Sequence, residues 1–179
     1  MKTFKIALIG LLFLIFPGSL VAQSQEQKKH DNITKVVLTR HMEKAEVLDS
    51  SEKPENPHLT DNGKRRAEYL RDMFQHITLD YFYSTPLHRT QETLLPTANS
   101  RNKEIQTYAT RDFAFIQKQI QENPGKNFMI AGHSNSIPSM VNYLIGEDFY
   151  EILDESDYTK LWILTFKNGV LIDHILLQY

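Results

Sequence analysis

Apolar residues cluster along this chain in short continuous runs, and between those runs they recur every three or four positions. Val36-Val37-Leu38, Tyr81-Phe82-Tyr83 and Phe128-Met129-Ile130-Ala131 are too short for buried helices and too unbroken for half-exposed strands. They read as strands covered on both faces. A shorter strand is predicted over Ile105 to Tyr108. Thr60 suits an N-cap, and Ala67, Leu70, Phe74 and Ile77 fall at helical spacing, so a helix opening at Leu59-Thr60 buries one face. Further helices are predicted from His88 to about Ala98, from Arg111 to about Gln121 before Asn123-Pro124-Gly125, and through Met140, Leu144 and Ile145. Leu161 to Phe166 and Val170 to Leu177 flank Lys167-Asn168-Gly169, a turn signal that makes them an antiparallel hairpin. The alternation predicts an α/β fold: a mostly parallel sheet, helices on both faces and an antiparallel C-terminal edge.

The first 22 residues depart from this pattern. Met1-Lys2-Thr3-Phe4-Lys5 is basic, Ile6 to Phe16 is almost wholly apolar, and Pro17-Gly18 ends the run. That is the layout of a secretory signal, with cleavage expected after Ala22 or Ser24. A buried N-terminal helix or a retained anchor is the alternative, but the run is shorter than the ~20 residues of a spanning helix. The expected division is therefore a signal peptide over 1–22, a polar linker over 23–33 and one domain over 34–179, exported to the periplasm or the medium.

With 41% hydrophobic and 23% charged residues the domain has the makings of an ordinary core. Loss of residues 1–22 removes two lysines and no acid, taking the formal charge from −2 to −4. No nucleic-acid footprint is present. Cysteine is absent, which excludes disulfides, a thiol nucleophile and cysteine metal sites.

Ligands of open α/β sheets bind at the carboxyl ends of strands, and there the chain places its reactive residues. Arg40-His41 closes the first run, Gly132-His133-Ser134 follows the third, and Ser84 to Thr90, containing Arg89, follows the second. Two histidines and two arginines suit a phosphoryl group. Phosphate monoesters hydrolyse so slowly that acceleration of up to ~10²¹-fold is needed. A nucleophile divides that barrier, and fixed cations hold the phosphoryl oxygens, a task for which the planar, bidentate guanidinium is suited. Arg40, Arg89 and a protonated His133 are expected to form the clamp, leaving His41 neutral to attack phosphorus. Asn135 is a further candidate phosphate contact, an N-cap of the following helix being the rival reading. Lys64-Arg65-Arg66 reads as a solvated face, and His58 and His88 as loop and helix surface.

These segments resemble the histidine phosphatase superfamily, also called phosphoglycerate mutase-like. The resemblance rests on Leu38-Thr39-Arg40-His41-Met42-Glu43-Lys44, on Leu59-Thr60-Asp61-Asn62-Gly63-Lys64-Arg65-Arg66-Ala67, on Ser84, Arg89 and Thr93, and on Ile130-Ala131-Gly132-His133-Ser134-Asn135. It spans roughly Thr34 to Gly146 in family order. It implies a three-layer α/β sandwich, no cofactor and no metal, His41 as the residue phosphorylated, Arg40 and Arg89 as clamps and His133 as a second phosphate contact. Two departures stand out: Met42 replaces the usual glycine after the nucleophile, as in small bacterial members with Arg-His-x-Glu-Lys, and the acid that protonates the leaving group has no clear match. Asp112, nearest beyond the third strand, and Glu43 are its candidates.

The resulting expectation is a phosphatase acting on phosphomonoesters or related phosphoryl groups of small substrates, envelope glycans or lipids, or phosphohistidine proteins. A phosphate or glycan-phosphate binder without turnover is the alternative that the unmatched acid supports. A metal-dependent hydrolase is disfavoured, because no His-Glu-x-x-His motif or cysteine pair exists. The pocket rim is expected in Met42 to His58 and Gly146 to Tyr158, both acidic, a charge that disfavours polyphosphates.

Overall fold

The computed structural model describes residues 32–45 and 56–179; the expected signal segment, most of the linker and the middle of the 42–58 loop lie outside the described residues. In chain order the elements are β1 (Ile33–Arg40), α1 (Asp61–Met73), β2 (Tyr81–Ser84), α2 (His88–Asn99), β3 (Ile105–Thr107), α3 (Phe113–Glu122), β4 (Phe128–Gly132), α4 (Ser136–Ile145), β5 (Lys160–Lys167) and β6 (Val170–Gln178). They form one sheet of order β3-β2-β4-β1-β5-β6. Its first four strands are parallel, and β5 and β6 run antiparallel to their neighbours, the mixed α/β sheet that the sequence predicts. Among the described residues no helix is long and apolar enough to cross a membrane.

The continuous apolar runs are explained by burial on both sides of the sheet. Val36 and Leu38 of β1 and Phe128 and Ile130 of β4 pack with Ile116 and Ile120 of α3 and Ile137, Met140 and Val141 of α4. Val37, Met129 and Ala131 alternate with them and meet Ala67 and Leu70 of α1 and Leu94 and Ala98 of α2 on the other face. The hairpin turn takes φ of 52° at Asn168 and 81° at Gly169, the pair of positive values a two-residue type I′ turn requires and the reason Asn-Gly stands there.

Two helix ends differ from expectation. The α1 spacing includes Ile77, yet the helix stops at Met73 and Ile77 is exposed. The guanidinium of Arg101 donates to the carbonyls of Phe74 and Ile77, satisfying acceptors that another helical turn would otherwise have covered. At the other, α3 begins at Phe113 rather than Arg111, because Asp112 occupies the N-cap and accepts from the Phe115 amide at 3.0 Å.

Gly63 sits in the first turn of α1, which Thr60 caps by accepting the Gly63 amide. A Cβ at Gly63 would collide with the Glu43 carbonyl, a rigid backbone atom two residues past His41. Alanine favours a helix over glycine by about 1 kcal/mol, but forcing an extra carbon into packed surroundings costs about 1–3 kcal/mol. Gly63→Ala is therefore expected to lower the urea midpoint and to reduce turnover by displacing the segment after His41. A stabilised variant would show that the two segments separate freely.

Candidate active site

Strand register assembles the site. β1 and β4 pair Arg40 with Gly132, and β2 and β4 pair Ser84 with Ala131, so His41, Thr85 and His133 lie just beyond adjacent strand ends. The His41 amide donates to the Gly132 carbonyl at 2.8 Å. The two imidazole rings stand 5.6 Å apart between centroids, edge toward face at 66°.

His41 Nδ1 lies 2.7 Å from the Met42 carbonyl, which can only accept, so Nδ1 carries the hydrogen and the Nε2 lone pair is available. The Met42 backbone is itself held: its amide donates to Thr93 Oγ1 at 2.9 Å, and that hydroxyl donates to the Arg89 carbonyl at 2.7 Å. This linkage gives the four-residue spacing of Arg89 and Thr93 on α2 a physical meaning. The Met42 side chain is fully buried with α1 and α2, where a glycine would leave a hole. Burial first, then the charges of Arg40 and Arg89, push the His41 imidazole down to about 3, although its bond to Met42 works the other way.

His133 Nε2 lies 3.1 Å from Thr85 Oγ1, which contacts Thr90 Oγ1 at 2.8 Å. The Thr90 hydroxyl is turned toward the carbonyls of Thr85 and Leu87. Thr90 therefore accepts from Thr85, Thr85 accepts from His133, and Nε2 carries the hydrogen. Burial, then Arg89 and Arg40, hold His133 down to about 4. It is neutral near pH 7, which corrects the expected protonated form: the arginines that would help it bind phosphate also repel its proton.

Two neutral histidines, His41 buried and His133 half-buried, make stability depend on pH. Below about pH 6.5 the unfolded chain takes up protons that the folded sites refuse, so stability falls with falling pH by about 1.4 kcal/mol per unit for each such group. Urea midpoints should drop between about pH 7 and pH 5, where few carboxylates titrate. A flat profile would mean that these imidazoles are charged in the folded state.

Arg40 is 1% exposed. It donates through Nη1 to the Asp154 and Asp157 carbonyls at 2.9 and 3.0 Å and through Nη2 to Glu155 at 2.8 Å, and its guanidinium carbon lies 4.1 Å above the Tyr158 ring. Its Nε, and the Nε of Arg89, are buried donors without a protein partner. Such groups cost free energy unless a ligand accepts from them. Burial, and after it the neighbouring Arg40 charge, hold Arg89 below its usual range. A dianion placed between these cations relieves both penalties.

Residues 36–112 match the family model of the histidine phosphatase superfamily, branch 1. The matched stretch carries Arg40, His41 and Arg89. No curated protein matches the chain in sequence. Several solved histidine phosphatase structures share its fold. A phosphoserine phosphatase from Entamoeba histolytica, in complex with 3-phosphoglyceric acid, is 17% identical with a TM-score of 0.58, over 79% of this chain and 96% of its own. The protein histidine phosphatase SixA, complexed with tungstate, is 16% identical with a TM-score of 0.64, over 80% and 96%. A mycobacterial glucosyl-3-phosphoglycerate phosphatase is 8% identical with a TM-score of 0.62, over 82% and 98%.

The remaining candidates are placed as follows. Glu43 meets the Arg66 guanidinium, Nε to Oε1 at 3.0 Å and Nη2 to Oε1 at 2.9 Å, which corrects the reading of Arg66 as part of a solvated face; Lys64 and Arg65 are exposed as expected. Asp112 is exposed and serves as the cap of α3. Asn135 is exposed at the N-cap position of α4 but makes no capping bond; Ser136 Oγ instead accepts the His133 amide at 3.0 Å.

Glu155 was not singled out by the sequence beyond its acidic rim. It accepts from Ser134 at 2.5 Å and from Arg40, and these bonds, Ser134 first, hold it below the usual carboxylate range. The Leu153 amide donates to the Ser134 carbonyl at 2.9 Å, so the rim docks on the ends of both β1 and β4. His58 and His88 are exposed as expected, yet their rings stack at 4.2 Å and 11°.

Proposed function

We propose that this chain is a histidine phosphatase that cleaves small phosphorylated substrates in two displacements through His41. The unpartnered buried Nε donors of Arg40 and Arg89 beside a neutral imidazole carry this reading. In the first step His41 Nε2 forms a bond to phosphorus while the bond to the leaving oxygen or nitrogen breaks. In the second, water attacks the phosphohistidine, inorganic phosphate departs and His41 is regenerated. Charge on the phosphoryl oxygens offsets the repulsion that keeps His133 neutral, so His133 gains a proton when the substrate is seated and completes the clamp.

Glu43 is committed to Arg66, Asp112 to its helix cap, and Glu155 to Ser134 and Arg40. This supports leaving groups that depart with little help from an acid. The complexes with 3-phosphoglyceric acid and tungstate support a small phosphorylated substrate and a pocket for a phosphate-like oxyanion. The basic and apolar start of the chain supports export to the periplasm or the medium, which would bring phosphorylated envelope glycans or lipids within reach as substrates.

Brief reaction with a radiolabelled aryl phosphate, quenched in alkali, should leave label on His41, and turnover should persist in a strong chelator. Turnover without label would point to direct attack by water. Tight phosphate binding with neither label nor turnover would support the non-catalytic reading.

A further inference from the structure

The stacked pair His58 and His88 shares a third neighbour. Nδ1 of His58 is hydrogen-bonded to Oε1 of Glu92, and one ligand-capable atom from each of His58, His88 and Glu92 lies within 4.8 Å of the others. His88 and Glu92 are four residues apart on α2 and share a helix face. His58 comes from the returning end of the loop that begins at His41. No spacing motif marks such a set, because its members lie on segments 30 residues apart in sequence.

We propose that His58, His88 and Glu92 bind a divalent transition-metal ion of the Zn²⁺ type, which clips residues 56–59 onto α2 at the active-site rim. Two imidazoles and one carboxylate form a donor set that zinc accepts, leaving a coordination position for water. Donors about 2.0–2.1 Å from one ion stand roughly 3.4 Å apart in a tetrahedron, a contraction that rotation of exposed side chains provides. His58 would ligate through Nδ1, its ring hydrogen moving to Nε2, so the imidazole remains neutral.

Supporting bonds already hold the ligands in place. Glu92 Oε2 accepts the Leu59 amide at 2.8 Å, the His88 amide donates to Asn56 Oδ1 at 2.7 Å, and the His58 carbonyl accepts the Ala45 amide at 2.8 Å. Such outer contacts orient first ligands and typically alter affinity 10–100-fold when lost. The set lies beside the chemistry without belonging to it: His88 precedes Arg89 and Glu92 precedes Thr93. The ion would fix the approach to the phosphate clamp.

Titration of the full chain with Zn²⁺, followed calorimetrically and by metal analysis after gel filtration, tests this. One ion per chain and a raised melting temperature are expected. His88→Ala and Glu92→Gln should each weaken binding at least about tenfold, whereas His76→Ala, at another exposed histidine, should not. Glu92→Gln retains an oxygen for the Leu59 amide, and circular dichroism confirms that each variant is folded. Absence of uptake, or uptake unchanged by His88→Ala, would overturn the proposal; in the second case loss of binding in His133→Ala would move the ion to the catalytic histidines.

Discussion

His41→Ala is expected to remove turnover almost completely, by about 10⁴-fold or more, as loss of a covalent nucleophile does. The variant should remain folded: His41 is neutral, and its side chain is hydrogen-bonded to the adjacent Met42 carbonyl. Alanine leaves that carbonyl without a donor while removing a buried polar ring, two effects of opposite sign. Far-UV circular dichroism and the urea midpoint establish the fold, and hydrolysis of an aryl phosphate measures the loss. The same variant should flatten part of the acid-side decline in stability, because one proton-refusing group is gone. Hydrolysis near the wild-type rate would end the phosphohistidine mechanism.

Much of this site is legible in the sequence for a specific reason. A strand buried on both faces reads as an unbroken apolar run, so Val36 to Leu38 and Phe128 to Ala131 announce themselves, and the polar residues that follow are marked as strand ends. Arg40, His41 and His133 are then found by position alone, and Arg89 by its place after the Tyr81 to Ser84 strand. What the sequence conceals is pairing between distant side chains. Arg66 has the local context of a solvated helix face, yet it pairs with Glu43, whose backbone packs closely on α1 at Gly63. Glu155 lies in an acidic rim where no spacing distinguishes it from Asp154 or Asp157, and only the docking of Leu153 on Ser134 brings it to Arg40. Ile77 fails in the opposite way: its helical spacing is real, but Arg101 ends the helix from another segment. The charge of His133 is hidden for another reason: residue types that gather round an anion favour its proton only when the anion is bound.

Arg89→Lys is the substitution that separates charge from geometry at the phosphate clamp. Arg40 is less informative, since its guanidinium also holds the Asp154 and Asp157 carbonyls, and its loss would loosen the rim as well as the clamp. Arg89 projects from the first turn of α2, with its Nε buried and unpartnered. Lysine preserves the positive charge and much of the aliphatic stem, but it offers a point charge in place of a planar fork. If the fork bonds phosphoryl oxygens in the transition state, activity should fall by about 10²–10³-fold, the cost of removing one preorganised donor. The loss should appear mainly in kcat, because a lysine still attracts the dianion in the ground state. Stability should change little, since the substitution leaves the Thr93 to Arg89 backbone bond in place. A variant with unchanged kcat and raised KM would restrict Arg89 to substrate capture, and one with wild-type kinetics would remove it from the site.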